Sequence, residues 1–369
     1  MDYRGHTLEE KVTTLPGDCY TSPAIFTAEQ EKIFARRWLC AGRADAIPSA
    51  GDYLLADAAG ESLIVVRGRD GACRAFYNVC RHRGTRLCTE EAGHFAGGIA
   101  CPYHAWTYGL DGALIGAPHM AEVPWFNRAD YPLHPAALRQ WEGFLFVHLS
   151  LDAPSLEEEL RPLLERFRPW RLPRLKSARR IDYDVAANWK LLFQNFSECY
   201  HCPPVHPALA KLSHYRSGAN DLREGAVLGG YMTIDREGGS LTMSGRRCGA
   251  PLGDLPEEEK CRAYYYSIAP TLLLTVQPDF LMATRLTPLA PNRTHVVCDF
   301  LFAPETLEHP GGDPEDAIAL WDLTNRQDWR MCELAQRGVS SRAYRPGPYS
   351  TDESLLAAFD REYLASLAR

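Results

Sequence analysis

Between residues 80 and 106 the chain sets one thiol and one imidazole into each of two short loops. The first reads Cys80-Arg-His82-Arg-Gly84; after eighteen intervening residues from His82 comes Cys101-Pro-Tyr-His104-Ala-Trp106. Four metal-binding side chains in two mixed pairs constrain a fold strongly, because both loops must converge on one centre. Zinc is one candidate, since Cys2His2 is a common zinc set. Zinc fingers, however, pair Cys with Cys in a knuckle and His with His on a helix. Here each loop carries a mixed pair with Gly or Pro at the bend, in a β-rich context. A [2Fe–2S] cluster in which two imidazoles replace two thiolates on one iron takes this set, and the lost negative charge raises its reduction potential. The bland alternative is a pair of core cysteines beside two loop histidines.

The chain has 369 residues, 46% hydrophobic and 24% charged, which suits a soluble protein of two domains. Its formal net charge of -7 argues against nucleic acid or an anionic membrane as partner. The opening MDYRGHTLEEKV lacks the apolar core of a secretory signal, and no run reaches the length of a membrane span. The cytoplasm is therefore the expected location. The twelve cysteines are scattered, and in a reducing compartment they read as core thiols and metal ligands, not as disulfides.

Three segments are expected: an N-terminal helical segment at 1–40, a β-rich domain at 41–155 and a mixed α+β domain at 156–369. In the first, Thr27 to Gln30 resembles a capping box opening an amphipathic segment from Phe26 to Trp38. In the second, SLIVVRG and CRAFYNV flank a tight turn as a hairpin, and GFLFVHL reads as a buried strand. Residues 152–177 read as a surface helix and connector. Thereafter a strand (IDYDVAA), a helix from Asn188, further strands and a long helix from about Asp316 to Gly338 make the α+β class natural.

A second constellation lies in NWKLLFQNFSECYHCPPVH, residues 188–206. In helical projection Gln194, Asn195, Glu198 and His201 share an arc opposite Leu192, Phe193 and Phe196. Pro203-Pro204 stops this helix, and a turn could swing His206 back toward His201. In the late helix Asp322, Arg326, Arg330, Glu333 and Arg337 form a polar stripe, whereas Asp328 falls on the apolar side. A carboxylate there is either satisfied by hydrogen bonds or bound to metal. With His201 and His206 it would complete a 2-His-1-carboxylate set, the pattern of non-haem Fe(II) sites.

The pattern C-x-H-R-G … C-x-Y-H-x-W resembles the cluster motif of Rieske non-haem iron oxygenase α subunits, the ring-hydroxylating oxygenase family. N-x2-(D/E)-x-Y-H-x4-H resembles that family's mononuclear iron motif, matched by Asn195, Glu198, Tyr200, His201 and His206. The resemblance runs from about residue 20 to the end. It implies an all-β Rieske [2Fe–2S] domain followed by a helix-grip (START-like) α+β catalytic domain. Cys80 and Cys101 would hold one iron of the cluster, His82 and His104 the other. His201, His206 and Asp328 would hold a mononuclear Fe(II), with O2 as co-substrate and electrons from NAD(P)H. No flavin or dinucleotide fingerprint is present, so a separate flavin and iron–sulfur reductase is expected. A homotrimer is implied, in which Glu198 links an iron histidine to a cluster histidine of the neighbour, with Asn195 beside it. Glutamate at 198, with RAYRPGPYS near the C-terminus, resembles the branch that oxidises quaternary ammonium compounds such as glycine betaine.

A trimethylammonium group offers no hydrogen-bond donor and is recognised by aromatic faces. Tyr215, Tyr231, Tyr264, Tyr265, Tyr266 and Phe280 are candidates for such a cage, and Tyr200, Tyr264, Tyr266 and Phe280 are put forward as substrate-binding. Arg285 is a candidate carboxylate partner or a surface charge. The competing readings are an aromatic-ring hydroxylating dioxygenase and, outside enzymes, a Rieske electron-transfer protein with an appended ligand-binding domain.

Overall fold

The computed structural model describes residues 12–235 and 238–369. Two compact units emerge: Ile33–Leu156, and a second built from the residues up to Lys32 together with Glu157–Arg369. The expected N-terminal segment is thus divided. Residues 1–11 lie outside the described residues, and the helices Asp18–Thr21 and Pro23–Lys32 belong to the C-terminal unit. The second helix begins at Pro23 and not at Thr27: proline suits a first helical position, and the Ser22 hydroxyl accepts from the Ile25 amide at 3.4 Å. Thr27 instead donates to the Pro23 carbonyl inside the helix, and Glu29 is buried, so no simple apolar stripe exists. Among the described residues no helix is long and apolar enough to cross a membrane.

The unit Ile33–Leu156 is a β-structure. A seven-stranded antiparallel sheet runs in the order Leu39–Arg43, Phe144–His148, Pro135–Trp141, Cys73–Tyr77, Glu61–Arg67, Asp52–Ala58, Ala92–His94. The expected hairpin is present, Arg67 facing Cys73 across a turn in which Gly71 takes φ 79°. Phe144–His148 is buried throughout. A smaller sheet of Ile99–Ala100, Thr107–Tyr108 and Leu114–Gly116 carries the second Cys/His loop. Ile64, Val66, Phe76, Cys80, Cys101, Trp106 and Tyr108 share one core, so the two loops are rooted in the same apolar cluster.

The other unit has a seven-stranded antiparallel sheet: Lys176–Val185, Arg293–Phe302, Phe280–Ala290, Leu272–Val276, Arg262–Ile268, Val227–Thr233, Ala219–Leu222. The last six strands in sequence are neighbours in order, while Lys176–Val185 returns to the far edge beside Arg293–Phe302. The helices Trp189–Phe196, Pro314–Val339 and Ser354–Ala368 pack together and against strands of this sheet. This is a sheet gripping a long helix. Residues 152–177 are less superficial than their charge suggests. Only Leu156–Glu159 is α-helical, and Leu160, Leu163, Phe167, Trp170, Leu172 and Leu175, in or flanking the following 3-10 turns, are buried.

The helix Trp189–Phe196 is held by buried polar contacts. Asn188 caps it, accepting from the Lys190 amide at 3.0 Å while its Nδ2 donates to the Pro291 carbonyl at 2.6 Å. Lys190 and Glu29 are both 0% exposed and form an ion pair at 2.5 Å. Trp189 Nε1 and the Tyr363 hydroxyl also donate to Glu29, at 2.9 and 2.7 Å. Removing one partner of such a pair strands a buried charge. Glu29→Ala should therefore lower stability by about 3–5 kcal/mol, read from denaturant unfolding. The double variant Glu29→Leu/Lys190→Met should recover the part of that loss due to the stranded charge, while the Trp189 and Tyr363 donors still lose their acceptor.

Candidate active site

The two Cys/His loops are built on one backbone plan. In the first, the Cys80 amide donates to the Thr85 carbonyl (2.8 Å) and the Gly84 amide donates back to the Cys80 carbonyl (3.0 Å). In the second, Cys101 donates to Trp106 (2.8 Å) and Ala105 donates back to Cys101 (3.1 Å). The fifth residue of each turn is left-handed, Gly84 at φ 74° and Ala105 at φ 55°. Glycine takes that conformation freely; for Ala105 it costs about 1–2 kcal/mol, held by the surrounding turn. The thiols of Cys80 and Cys101 are buried (3% and 4% exposed), whereas His82 is exposed and His104 half-buried. The His82 and His104 ring centroids are 4.8 Å apart, and His82 stacks on Trp106 at 4.7 Å and 6°. Two thiols inward and two imidazoles outward fit a [2Fe–2S] cluster whose outer iron is nearest to solvent. Tyr108 presents its hydroxyl 3.3 Å from Cys80 Sγ and accepts from the Arg81 amide at 2.9 Å. A donor to sulfur stabilises the more negative reduced cluster. Tyr108→Phe should lower the reduction potential by about 40–80 mV, the one-electron equivalent of about 1–2 kcal/mol, measured by redox titration of the cluster spectrum.

In the C-terminal unit the expected helix across 188–201 is shorter, ending at Phe196, where Ser197 turns its hydroxyl to the Phe193 carbonyl at 2.7 Å. Glu198 and His201 therefore sit in a turn. Pro203-Pro204 does not stop a helix but occupies the first turn of a new one, Cys202–Val205. His201 and His206 flank that single turn, and this brings their rings together. Contrary to the reading of all cysteines as thiols and ligands, Cys199 and Cys202 form a disulfide across the same turn.

His201 Nε2 lies 3.2 Å from His206 Nε2, and Asp328 Oδ1 lies 3.1 and 2.9 Å from the two nitrogens. Metal–donor bonds of about 2.1 Å at right angles place neighbouring donors about 3.0 Å apart. The three atoms thus form the face of an octahedron and fit a divalent ion. Burial alone would pull the His201 pKa down, yet Asp328 and Glu198 push it up to about 10. Burial likewise favours neutral Asp328, but the two imidazoles hold its pKa below the usual carboxylate value. This donor set favours a positive charge at its centre. Both imidazoles are oriented from behind: Glu198 Oε1 accepts from His201 Nδ1 at 2.5 Å, and Gln327 Oε1 from His206 Nδ1 at 2.8 Å. An oxygen at Nδ1 leaves the lone pair on Nε2, facing the centre. Glu198 also accepts the Tyr200 and His201 amides. Asn195 Nδ2 is 3.5 Å from His201 Nε2.

One cavity opens on this triangle. Its wall includes Phe196, Tyr231, Tyr265 and Trp321, with Leu209, Leu228, Met232, Met282 and Leu355, and the polar groups of Asn220, Ser267, Thr324 and Asn325. Tyr265 centres 6.2 Å from both Phe196 and Trp321. Of the aromatic candidates read from the sequence, Tyr231 and Tyr265 line the cavity and the others lie elsewhere. Side chains alternate along a strand, so within Tyr264-Tyr265-Tyr266 the outer two share the opposite face. There Tyr264 donates to Glu259 and Tyr266 to Asp221, and both pack on Phe167. Phe280 stacks on Phe302, and Arg285 lies 3.5 Å from Asp299; neither lines the cavity. Tyr200 is 54% exposed and Tyr215 packs on His214. Gln327 went unread in sequence; its only signal was its place beside Asp328. Gln327→Leu should weaken Co(II) binding about 10–100-fold, with Gln327→Glu retaining it, in a titration of protein whose mononuclear site has been emptied by chelation.

Residues 37–127 match the Rieske [2Fe-2S] domain and residues 172–369 match the ring hydroxylating alpha subunit (catalytic domain). The chain is 34% identical over 367 residues to the glycine betaine monooxygenase oxygenase subunit of Chromohalobacter salexigens, covering 91% of this chain and 82% of that protein. It is 31% identical to the carnitine monooxygenase oxygenase subunit of Escherichia coli, covering 91% and 87%. It also superposes on the crystal structure of a quaternary ammonium Rieske monooxygenase in complex with L-carnitine, with a TM-score of 0.82 and 27% identity over 97% of this chain and 96% of that one. With both metal-motif regions matched and more than half of the chain within the catalytic family, this protein belongs to the ring-hydroxylating α subunits of the Rieske non-haem iron oxygenases.

Proposed function

We propose that this chain is the oxygenase component of a multicomponent monooxygenase that oxidises an N-methyl group of a quaternary ammonium compound. The observation that carries the reading is the cavity. The triangle of His201, His206 and Asp328 opens onto the rings of Phe196, Tyr265 and Trp321. A trimethylammonium held against these faces gains cation–π attraction. Among the described residues the lining has no lysine or arginine to repel it. A carboxylate tail would meet the amides of Asn220 and Asn325 and the hydroxyls of Ser267 and Thr324. The relatives are named for glycine betaine and carnitine, which share this cation.

Cys80, Cys101, His82 and His104 would hold the cluster, and His201, His206 and Asp328 the mononuclear iron. When bound, these groups supply one-electron relay and, with O2, oxidation of an unactivated C–H bond. Insertion of one oxygen atom uses O2, two electrons and two protons and releases water; the resulting N–CH2OH compound breaks its C–N bond to give formaldehyde, the demethylated amine and a proton. Glu198 would hold His201 from behind and, in a homotrimer, accept a hydrogen bond from a neighbouring subunit's cluster histidine. The structure of a similar quaternary ammonium Rieske monooxygenase gives insights into inter-subunit electron transfer in that protein. Electrons would come from NAD(P)H through a separate reductase, since relatives bear the name oxygenase subunit. The cytoplasm suits that supply.

Purified protein with a reductase and NADH should release formaldehyde in step with NADH consumption from betaines, carnitine or choline. His201→Ala and Asp328→Ala should abolish it while the cluster spectrum persists. Diols from arenes with no formaldehyde from any trimethylammonium compound would overturn the reading.

A further inference from the structure

Neither the family pattern nor the proposed chemistry uses the disulfide that brackets His201. Cys199 and Cys202 are joined, both border the cavity, and Cys202 is buried. The Cys202 sulfur and one ring nitrogen each from His201 and His206 all lie within 4.8 Å of one another. We propose that Cys202 is a conditional metal ligand of the catalytic centre, withheld by its bond to Cys199 and released by a dithiol reductant. The inference rests on reading His201, His206 and Asp328 as metal donors.

A sulfur in a disulfide is uncharged and bonds metals poorly; the thiolate is the ligand form. Exchange with a dithiol transfers two electrons and two protons, giving two cysteine thiols and the oxidised reductant. Cys202 can then exchange its S–H proton for a bond to a divalent ion. Bonds of about 2.1 Å to nitrogen and 2.3 Å to sulfur, at tetrahedral angles, need an N···S separation of about 3.6 Å. The sulfur therefore has to close by about 1.2 Å at most, within reach of a side-chain rotation.

The backbone permits this without rearrangement. The turn is closed by its own hydrogen bonds, Cys202 N to Cys199 O (3.1 Å), Val205 N to His201 O (3.1 Å) and His206 N to Cys202 O (2.8 Å). Opening the S–S bond frees side chains while this scaffold stays. Cys332, also buried near Asp328, instead sets its sulfur 3.6 Å from the Leu191 carbonyl. The donor set would change in kind. Two imidazoles and a carboxylate leave positions open on an octahedral ion, whereas a thiolate added to them makes a four-donor tetrahedral set that suits zinc. Disulfides in a reducing compartment are mostly transient and redox-sensing. Thiol state would thus select between an open triad and a closed, zinc-favouring site.

The test uses cluster-loaded protein whose mononuclear site has been emptied by chelation, with Co(II) and then Zn(II) as probes. Four forms are compared: air-oxidised wild type, wild type reduced by a dithiol and desalted, Cys199→Ser, and Cys199→Ser/Cys202→Ser. Reduced wild type and Cys199→Ser should show a sulfur-to-Co(II) charge-transfer band in the near ultraviolet. Oxidised wild type and the double variant should lack it. Cys199→Ser should bind zinc at least about tenfold more tightly than the double variant. In oxidised wild type, alkylation under denaturing conditions should leave the peptide of residues 199–202 unmodified until reduction.

Co(II) bound by all four forms without the band would overturn thiolate ligation and leave the three-donor site standing. Co(II) bound by none would overturn both that site and this proposal. Two alkylated thiols at 199 and 202 in air-oxidised protein would overturn the gate.

Discussion

A lysine ammonium and a glutamate carboxylate, each fully buried, meet 2.5 Å apart where three helices converge. Lys190 lies on the helix that leads into the turn of Glu198 and His201, Glu29 on Pro23–Lys32, and Tyr363, which donates to the same carboxylate, on Ser354–Ala368. The ammonium is also ringed by Tyr20, Trp189 and Tyr363 at 5.0 to 5.7 Å. Such a pair is weak evidence of net stability, since an apolar replacement can be as stable. Its effect is on alignment: a one-residue shift of either charged helix would leave a charge unpaired in the interior, and a shift of the third would remove a donor to Glu29.

The same stripe continues at intervals of four. Gln194, one turn on, donates to Asp360 at 2.7 Å and accepts from the Tyr20 hydroxyl at 3.1 Å. Glu198, four residues further, leaves the helix and meets His201 Nδ1. The polar arc read from the sequence is therefore no solvated face. Gln194 ties the N-terminal and C-terminal helices to this one, and Glu198 holds the His201 imidazole. A helix of only eight residues would be marginal alone; held at both ends, it can place a ring nitrogen within the tolerance that metal donors need.

What was legible in the sequence was what covalent spacing controls. Cys80, His82, Cys101 and His104 belong to short turns whose residue types have few other uses, and Asp328 stood out because a carboxylate on an apolar face demands a partner. What depends on strand phase or on distant partners was not legible. In Tyr264-Tyr265-Tyr266 every position is the same residue, so alternation has no visible phase; only the register Tyr265↔Thr275 and Tyr265↔Gly230 fixes which ring enters the cavity. Glu29 and Lys190 look like ordinary surface charges 161 residues apart in sequence. The helix end at Phe196 was hidden because the arc pattern persists through the turn that replaces it. The shared plan of the Cys/His loops was hidden as well, because the histidine follows cysteine by two residues in one and three in the other, while the matching hydrogen bonds run through Gly84 and Ala105.

Residues 198 to 202 hold a carboxylate, an imidazole and a disulfide in one turn. Glu198 accepts from the His201 ring, His201 turns its other nitrogen to His206 and Asp328, and the disulfide of Cys199 and Cys202 can take up a pair of electrons. Charge shows why these roles can share one turn. Asp328 faces the centre directly and Glu198 stands behind His201, enough negative charge to push that imidazole's pKa to about 10 against its own burial. A divalent ion offsets these two carboxylates. A thiolate added to them would leave a net negative site around the same ion, holding it tightly with fewer open positions. Keeping sulfur oxidised beside the histidines, while the turn's backbone is fixed by hydrogen bonds, is thus one way to keep the donor count at three where an open coordination site is required.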